Sequence, residues 1–267
     1  MPVDLKGSRV LLTGATGGLG QAIAKALHER GAQLIVTGRR VEVLDGLVAE
    51  LGDRVEAKPL DLSDLEATRR FCGEVGDVDV LVANAGLPGT GRIEEYTPEQ
   101  VDRVLDVNFA APIHMTNALL PGMLARNRGH LVYISSMSGK VATARSSLYN
   151  GTKFGLRGFA YAVREDLRDT GVGVTTVFPG FISDAGMWAD GGQELPKIVR
   201  TKSPEQVGDA VIKGIEKDRA EIDVAPFFVR FGGWLAGPAP NAVAAINRRG
   251  GGDELADALT EAQRDKR

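Results

Sequence analysis

The stretch Arg9-Val10-Leu11-Leu12-Thr13-Gly14-Ala15-Thr16-Gly17-Gly18-Leu19-Gly20 decides the fold. A short apolar run of strand type feeds a glycine-rich turn. From Leu19 the apolar spacing turns helical and stays so to Arg30. Glycines at such a junction let the backbone approach a pyrophosphate, and the helix N-terminus supplies free N–H groups and a positive dipole end. A plain tight turn uses the same glycines. The position between strand and helix favours the phosphate reading.

Outward from this turn, strand-like runs at residues 9–13, 33–37, 55–59, 78–83, 130–135, 173–178 and 221–225 alternate with helical patterns. The helical patterns fall at 19–30, 41–51, 65–75, 98–126, 147–170 and 204–217. Thr97-Pro98 and Ser203-Pro204 are strong helix starts. The alternation predicts an α/β fold, a doubly wound parallel seven-stranded sheet of Rossmann-like type in a single domain. Residues 1–249 are expected to form the catalytic domain with both cofactor and substrate sites. Gly250-Gly251-Gly252 separates a charged C-terminal helix and tail, 250–267, expected at the periphery or against a partner.

Composition narrows the function. The chain has 267 residues, 43% hydrophobic and 25% charged, which is enough for an ample core. A net charge of −3 argues against a general nucleic-acid binder. Cys72 is the single cysteine, so no intrachain disulfide forms and a reducing, cytoplasmic compartment is expected. No signal peptide is read, because residues 9–12 already form a strand. The apolar stretch 222–246 is broken by Asp223, Arg230, several glycines, Pro226, Pro238 and Pro240, so no membrane span is expected. It reads as a substrate lid or a partner-facing surface. His28, His114 and His130 stand singly without ligand spacing, so no metal site is expected. Ser135-Ser136 lacks the Gly-x-Ser-x-Gly of a nucleophile elbow.

Tyr149 and Lys153 bracket Tyr149-Asn150-Gly151-Thr152-Lys153. On a helix such a pair lies about 6 Å apart on one face. A free phenol titrates near pH 10, and bringing it to neutrality takes roughly 4 kcal/mol. One positive charge at about 4 Å supplies about that much at an effective dielectric near 20. The pair therefore predicts a phenol tuned to move a proton.

The spacing Gly14-x-x-x-Gly18-x-Gly20, the run Asn84-Ala85-Gly86 and the Tyr149-x-x-x-Lys153 pair, in that order, resemble the short-chain dehydrogenase/reductase family. The resemblance runs from about residue 5 to residue 225. It implies that Gly14, Thr16, Gly18, Leu19 and Gly20 hold the cofactor phosphates. It places Asp61 and Leu62 at the adenine and Asn84, Ala85 and Gly86 beside its ribose. Pro179, Gly180 and Ile182 would lie along the nicotinamide, and Tyr149 and Lys153 would also contact the cofactor. Ser136, thirteen residues before Tyr149, matches the family's catalytic serine, with Ser135 as the adjacent competitor. Asn108 matches an asparagine that bends the fourth helix and holds a water leading to the lysine. Asp61 also suits a cap for the third helix, and Asn84 and Gly86 suit plain turn chemistry. Two departures stand out. Ala83 precedes Asn84 where the family often has a second asparagine. The run Phe181-Ile182-Ser183-Asp184 replaces a common threonine, so either Ser183 substitutes or Asp184 reshapes the loop.

An NAD site usually offers an acid about twenty residues past the glycine turn. Here Thr37-Gly38-Arg39-Arg40 holds no carboxylate. Two arginines at the start of a helix oppose its dipole, a conflict that a 2′-phosphate removes. NADP(H) is therefore expected over NAD(H). The expected activity is hydride transfer between NADP(H) and a carbonyl or secondary alcohol by a Ser-Tyr-Lys-plus-Asn mechanism. Ser138, Phe181, Met187 and Trp188 are candidate pocket residues for a small, largely apolar substrate. The last three suit core packing or a subunit contact equally. Two other readings share the fold: a non-redox epimerase or dehydratase, and an NADP(H)-sensing binding protein. Helices 98–126 and 147–170 resemble those of a four-helix subunit contact in the family, with Ala160, Tyr161, Val163 and Leu167 as candidate surface. A homodimer or homotetramer is expected.

Overall fold

The computed structural model describes residues 2–183 and 200–264. Strands β1 (Arg9–Leu12), β2 (Gln33–Val36), β3 (Val55–Ala57), β4 (Val80–Ala83), β5 (Gly129–Ile134), β6 (Val172–Pro179) and β7 (Glu221–Val224) form one sheet. Its order is β3-β2-β1-β4-β5-β6-β7, and every neighbouring pair is parallel. The order runs out from β1 in one direction and from β4 in the other. A doubly wound sheet binds ligands at the C-terminal ends of its strands where that reversal occurs. Val10 and Leu12 pair with Val80 and Val82, so the turns after β1 and β4 emerge side by side.

Helices α1 (Gly18–Glu29), α2 (Val41–Leu51) and α7 (Pro204–Lys217) cover one face. There Val10, Leu12, Val36, Val132 and Val177 pack against Ile23, Leu44 and Val211. Helices α3 (Leu65–Val75), α5 (Ala111–Ala125) and α6 (Ser147–Asp166) cover the other. There Leu11, Leu81, Leu131 and Tyr133 meet Phe71, Met115 and Leu156. Successive strand residues point to opposite faces, so the near-continuous apolar runs are those of strands buried on both sides.

The two proline starts are full capping boxes: Thr97 with Gln100 opens α4 (Pro98–Leu105), and Ser203 with Gln206 opens α7. Three expectations change. The helix expected over 98–126 is interrupted by a π-helical turn, Asp106–Ala110, between α4 and α5. The third helix is capped by Asp64, whose side chain accepts from Ala67 N at 2.8 Å, and not by Asp61. The stretch 222–246 contains two helices, α8 (Phe227–Leu235) and α9 (Pro240–Arg249). The prolines read as breaks there are helix starts: Pro226 is the N-cap of α8, and Pro240 opens α9.

The last helix, α10 (Gly252–Gln263), buries Ala256, Thr260 and Gln263. Thr90 Oγ1 donates to Gln263 Oε1 at 2.8 Å, and Arg145 pairs with Asp257. Among the described residues, no helix is long and apolar enough to cross a membrane.

Candidate active site

A cleft of about 1340 Å³ opens at the switch point between β1 and β4. At one end the backbone itself is the wall. Gly14 has φ +67°, and a Cβ there would lie 2.7 Å from Ala85 Cα. A Cβ on Gly20 would fall inside the contact radius of the Gly14 carbonyl oxygen. No side chain caps α1, and its first turn holds no acid, so the dipole end is not neutralised from within. Thr13 Oγ1 accepts from Asn84 N and Ala85 N, each at 3.0 Å. Asn84 Nδ2 returns two bonds, to Thr13 O at 2.9 Å and Gly14 O at 3.2 Å. Asn84 therefore fastens the glycine turn to the end of β4, and its amide nitrogen is committed to that task.

The rim of this end carries cations. Arg40 donates to the Thr16 carbonyl and is the N-cap of α2. Arg39 is exposed at the same rim. A Cβ on Gly38 would lie 2.6 Å from Thr16 Cγ2, so an acid at position 38 would collide with the turn. Asp61 Oδ1 accepts from Ser63 N at 3.0 Å and Ser63 Oγ at 2.8 Å. Burial pushes its carboxyl up. Those bonds and the charges of Arg39 and Arg103 outweigh burial and hold it below the usual carboxylate range. Leu62 is buried beside it and Gly86 lines the cleft. Thr37 Oγ1, in the same wall, is buried with no hydrogen-bond partner among the described residues. A close backbone cradle, an uncapped helix start, an orphaned hydroxyl and two cations on the rim fit a dinucleotide cofactor.

The middle of the cleft holds Ser136, Tyr149 and Lys153. Ser136 follows β5, and its hydroxyl stands beside the Tyr149 phenol and donates to Pro179 O at 3.5 Å. It also accepts from Ser138 N at 3.1 Å, which fixes its position. Ser135 points the other way and is buried, donating to Lys153 O at 3.1 Å. The two adjacent serines thus have different partners, although both border the cleft. Ser138 carries a backbone bond from Asn150 Nδ2 at 2.6 Å and lines the cleft.

Lys153 is buried, with Nζ donating to Ile134 O at 2.9 Å and lying 5.7 Å from the Tyr149 ring centroid. Burial lowers the ammonium to about 8. Burial raises the Tyr149 phenol to about 12, against a smaller opposing effect of the Ser136 hydroxyl beside it. The direction is opposite to the one expected from a lysine four residues on. Removal from water costs the phenolate more than the ammonium, held by Ile134, returns.

Asn108 sits inside the π-helical turn, fully buried. Its Oδ1 accepts from Leu87 N at 2.6 Å, and its Nδ2 donates to Leu87 O at 2.9 Å and Thr152 Oγ1 at 3.4 Å. The side chain ties the bent helix to the segment after β4 and to the helix bearing Tyr149. π turns are frequent at functional sites.

Pro179 and Gly180 close β6, and Phe181 lines the cleft. Ile182 pairs with Lys202, and Ser183 Oγ donates to Lys202 O at 3.4 Å. Asp184, Met187 and Trp188 lie outside the described residues. Beyond Phe181 the far wall comes from α8 to α10, through Phe228, Val229, Val243, Ile246, Leu255 and Leu259.

The family model for short chain dehydrogenases matches residues 8–195. The chain belongs to the short-chain dehydrogenase/reductase family. Ketoacyl reductase HetN of Nostoc sp. is 35% identical over 82% of this chain and 79% of that protein. NADP-dependent 3-hydroxy acid dehydrogenase YdfG of Salmonella typhimurium is 37% identical over 74% of this chain and 79% of that protein. Among solved structures, the closed form of serine dehydrogenase complexed with NADP+ aligns with a TM-score of 0.74. It is 31% identical and covers 82% of this chain and 95% of that one.

In this family member two sets of residues that build the cleft escape a motif-based reading. Thr13 carries no chemistry of its own, and only its place between β1 and the glycine turn marks it. The wall from α8 to α10 has no motif, although Pro226 and Pro240 were available as signals of helix starts.

Proposed function

We propose that the protein transfers a hydride between NADP(H) and the carbon of a carbonyl or secondary alcohol, in a cleft suited to a largely apolar substrate. One observation carries the reading: Ser136, Tyr149 and buried Lys153 meet in the same cleft as the glycine turn. A bound nicotinamide dinucleotide supplies or accepts the hydride and, when oxidised, adds a positive charge. The chain's own residues handle binding and the proton. Gly14, Thr16, Gly18, Leu19 and Gly20 would cradle the pyrophosphate with main-chain groups. Asp61, Leu62, Asn84, Ala85 and Gly86 would border the adenosine, and Pro179, Gly180 and Ile182 the nicotinamide.

Ser136 holds the substrate oxygen against the Tyr149 hydroxyl. At neutral pH the phenol keeps its proton, so Tyr149 is set to protonate the oxygen of a reduced carbonyl. In the reverse direction it must lose that proton, and a second cation beside the phenol eases the loss. Lys153, lowered to about 8 but still mainly charged at neutrality, supplies charge and a hydrogen-bonding head for the ribose. Asn108 holds the bent helix that completes the proton path.

NADP(H) is favoured by Arg39 and Arg40 on the rim and by the steric exclusion of an acid at Gly38. The YdfG relative is named as NADP-dependent, and the serine dehydrogenase neighbour binds NADP+. We further infer a cytoplasmic homo-oligomer built on the helices around α6. Phe154 and Tyr161 are exposed there, whereas Ala160 and Leu167 face the chain's own core. The test is a panel of carbonyls and alcohols followed through the absorbance of the reduced cofactor, with NADPH and NADH in parallel. Tight NADPH binding with no turnover across a broad panel would overturn the dehydrogenase reading in favour of a cofactor-sensing protein.

A further inference from the structure

The sequence leaves an unusual surface at the cleft mouth. Helix α8 begins Phe227-Phe228-Val229-Arg230-Phe231 and carries Trp234 a turn later. Phe227 is 79% exposed, Phe228 72% and Trp234 71%, with Phe231 also exposed. Large aromatics in these numbers do not normally face water together. They form an ordered ridge: Phe227 and Phe231 stack at 6.3 Å between centroids, and Phe231 and Trp234 lie 5.9 Å apart. Exposed Ile246 on α9 adds to the apolar surface.

Charge distinguishes this surface from the rest of the molecule. The chain carries a net charge of −3, yet residues 227–252 hold Arg230, Arg248 and Arg249 and no Asp or Glu; Arg230 lies 4.0 Å from Asp223 and stays half exposed. We propose that this aromatic and arginine-bearing surface docks the protein on an anionic lipid bilayer. Aromatic rings entering the acyl boundary, with arginines left at the headgroups, are the pattern of an interfacial helix. Each arginine near an anionic surface adds to the attraction, and Trp suits the headgroup level.

A second copy of the chain fits less well. Two copies joined through this face would bring arginines of one sign together without a carboxylate from residues 227–252 to pair them. An anionic bilayer meets the same arginines with opposite charge, and each ring inserts on its own. Phe228 is exposed on the same helix and also lines the cleft, so a docked molecule presents its cleft mouth to the lipid. On the dehydrogenase reading, on which this step rests, the carbonyl or alcohol then enters from the membrane phase.

The experiment is co-sedimentation of the full chain with phosphatidylglycerol–phosphatidylcholine vesicles and with pure phosphatidylcholine vesicles. It is compared with Phe227→Ser/Trp234→Ser, neither of which lines the cleft. The wild type should sediment with the anionic vesicles and lose binding at high salt. The double variant should bind at least about tenfold more weakly, since each ring is worth that much on burial. Its circular dichroism and melting should match the wild type. Arg230→Gln/Arg249→Gln should bind both vesicle types alike. No sedimentation of the wild type, or binding indifferent to the ring substitutions, overturns the proposal. So does a particle mass that falls by half in the ring variant, which would assign the ridge to a second copy. Vesicle binding is read without turnover, so its failure is distinct from failure of the dehydrogenase reading.

Discussion

At the glycine turn the cleft is made of backbone, and along α8 to α10 it is made of side chains. On the first side Gly14, Gly20 and Gly38 leave no space for a Cβ, and Thr13 and Asn84 stitch β1 to β4 with four hydrogen bonds. On the second side Phe228, Val243, Leu255 and Leu259 project from helices whose outer surfaces are partly bare. The difference teaches where variation is tolerated. On the proposed function a dinucleotide would be gripped by main-chain groups whose positions any added atom disturbs. A substrate wall of side chains can change its lining without changing its frame. Between the two stand Ser136, Tyr149 and Lys153, where chemistry and not shape is at stake.

The largest expected effect therefore falls on that middle ground. Tyr149→Phe keeps the ring and removes the proton, so turnover should drop by about 10²–10⁴-fold while cofactor binding and melting stay close to wild type. A variant with wild-type kcat on a substrate whose chemical step is rate-limiting would remove Tyr149 from the mechanism and leave the cleft as a binding site alone.

Lys153→Met tests what burial of the ammonium costs. Below about pH 8 the lysine is charged in both the folded and the unfolded chain, and the full cost is present. Between about 8 and 10.5 the unfolded chain alone keeps the proton, so stability from this group rises with pH. Methionine should therefore raise stability at neutral pH by up to roughly 3 kcal/mol, less the lost bond to Ile134 O. The gain should shrink as pH climbs toward 10, while activity is lost. Melting temperatures for both proteins across that range check the sign. A variant less stable than wild type at pH 7 would mean that the hydrogen bond outweighs desolvation.

The same contrast explains what the sequence disclosed. Strand and helix periodicity disclosed all seven strands and most helices, because each run is long enough to show its period. The glycine turn and the Tyr149–Lys153 pair were legible because each depends on residues close together in the chain. The bend at Asn108 was expected only through the family resemblance; its π form and its ties to Leu87, 21 residues away, were not legible. The choice of Asp64 over Asp61 as cap rests on a boundary three residues long. The different partners of Ser135 and Ser136 show only once β5 and α6 are in place. The direction of the Tyr149 shift depends on burial, which no spacing reveals. Helices α8 and α9 were hidden by prolines that cap them and by a surface apolar enough to mimic a core.

Arg39 and Arg40 sharpen the comparison within the cofactor side itself. Arg40 donates to the Thr16 carbonyl, so it belongs to the frame of the turn. Arg39 stands at the rim, free to meet a 2′-phosphate through a charge-assisted contact worth roughly 1.5–3 kcal/mol. Arg39→Ala should lower kcat/KM for NADPH about ten- to a hundredfold and leave NADH nearly unchanged. Arg40→Ala should weaken both cofactors, because it loosens what both share. Equal use of the two cofactors by the wild type would show that neither arginine reads the phosphate.

The smallest effects come from a single methyl group added to each side. Gly20→Ala forces the Gly14 carbonyl oxygen to move. Overpacking of that kind costs about 1–3 kcal/mol, and the displaced carbonyl belongs to the cradle, so melting temperature and affinity for both cofactors should fall together. Gly232 lies within α8, and a Cβ there meets nothing within 4 Å. Helix propensity alone then governs Gly232→Ala, which should gain up to about 1 kcal/mol, a rise of about 2–4 °C in a protein of this size. Cofactor affinity should not move, although KM for the substrate can shift slightly because Gly232 borders the cleft. The pair is read by melting curves and cofactor titration on the two variants side by side. If Gly232→Ala destabilised the protein as much as Gly20→Ala, the α8 side would be as closely fitted as the glycine turn, and the division between a backbone-built and a side-chain-built wall would fail.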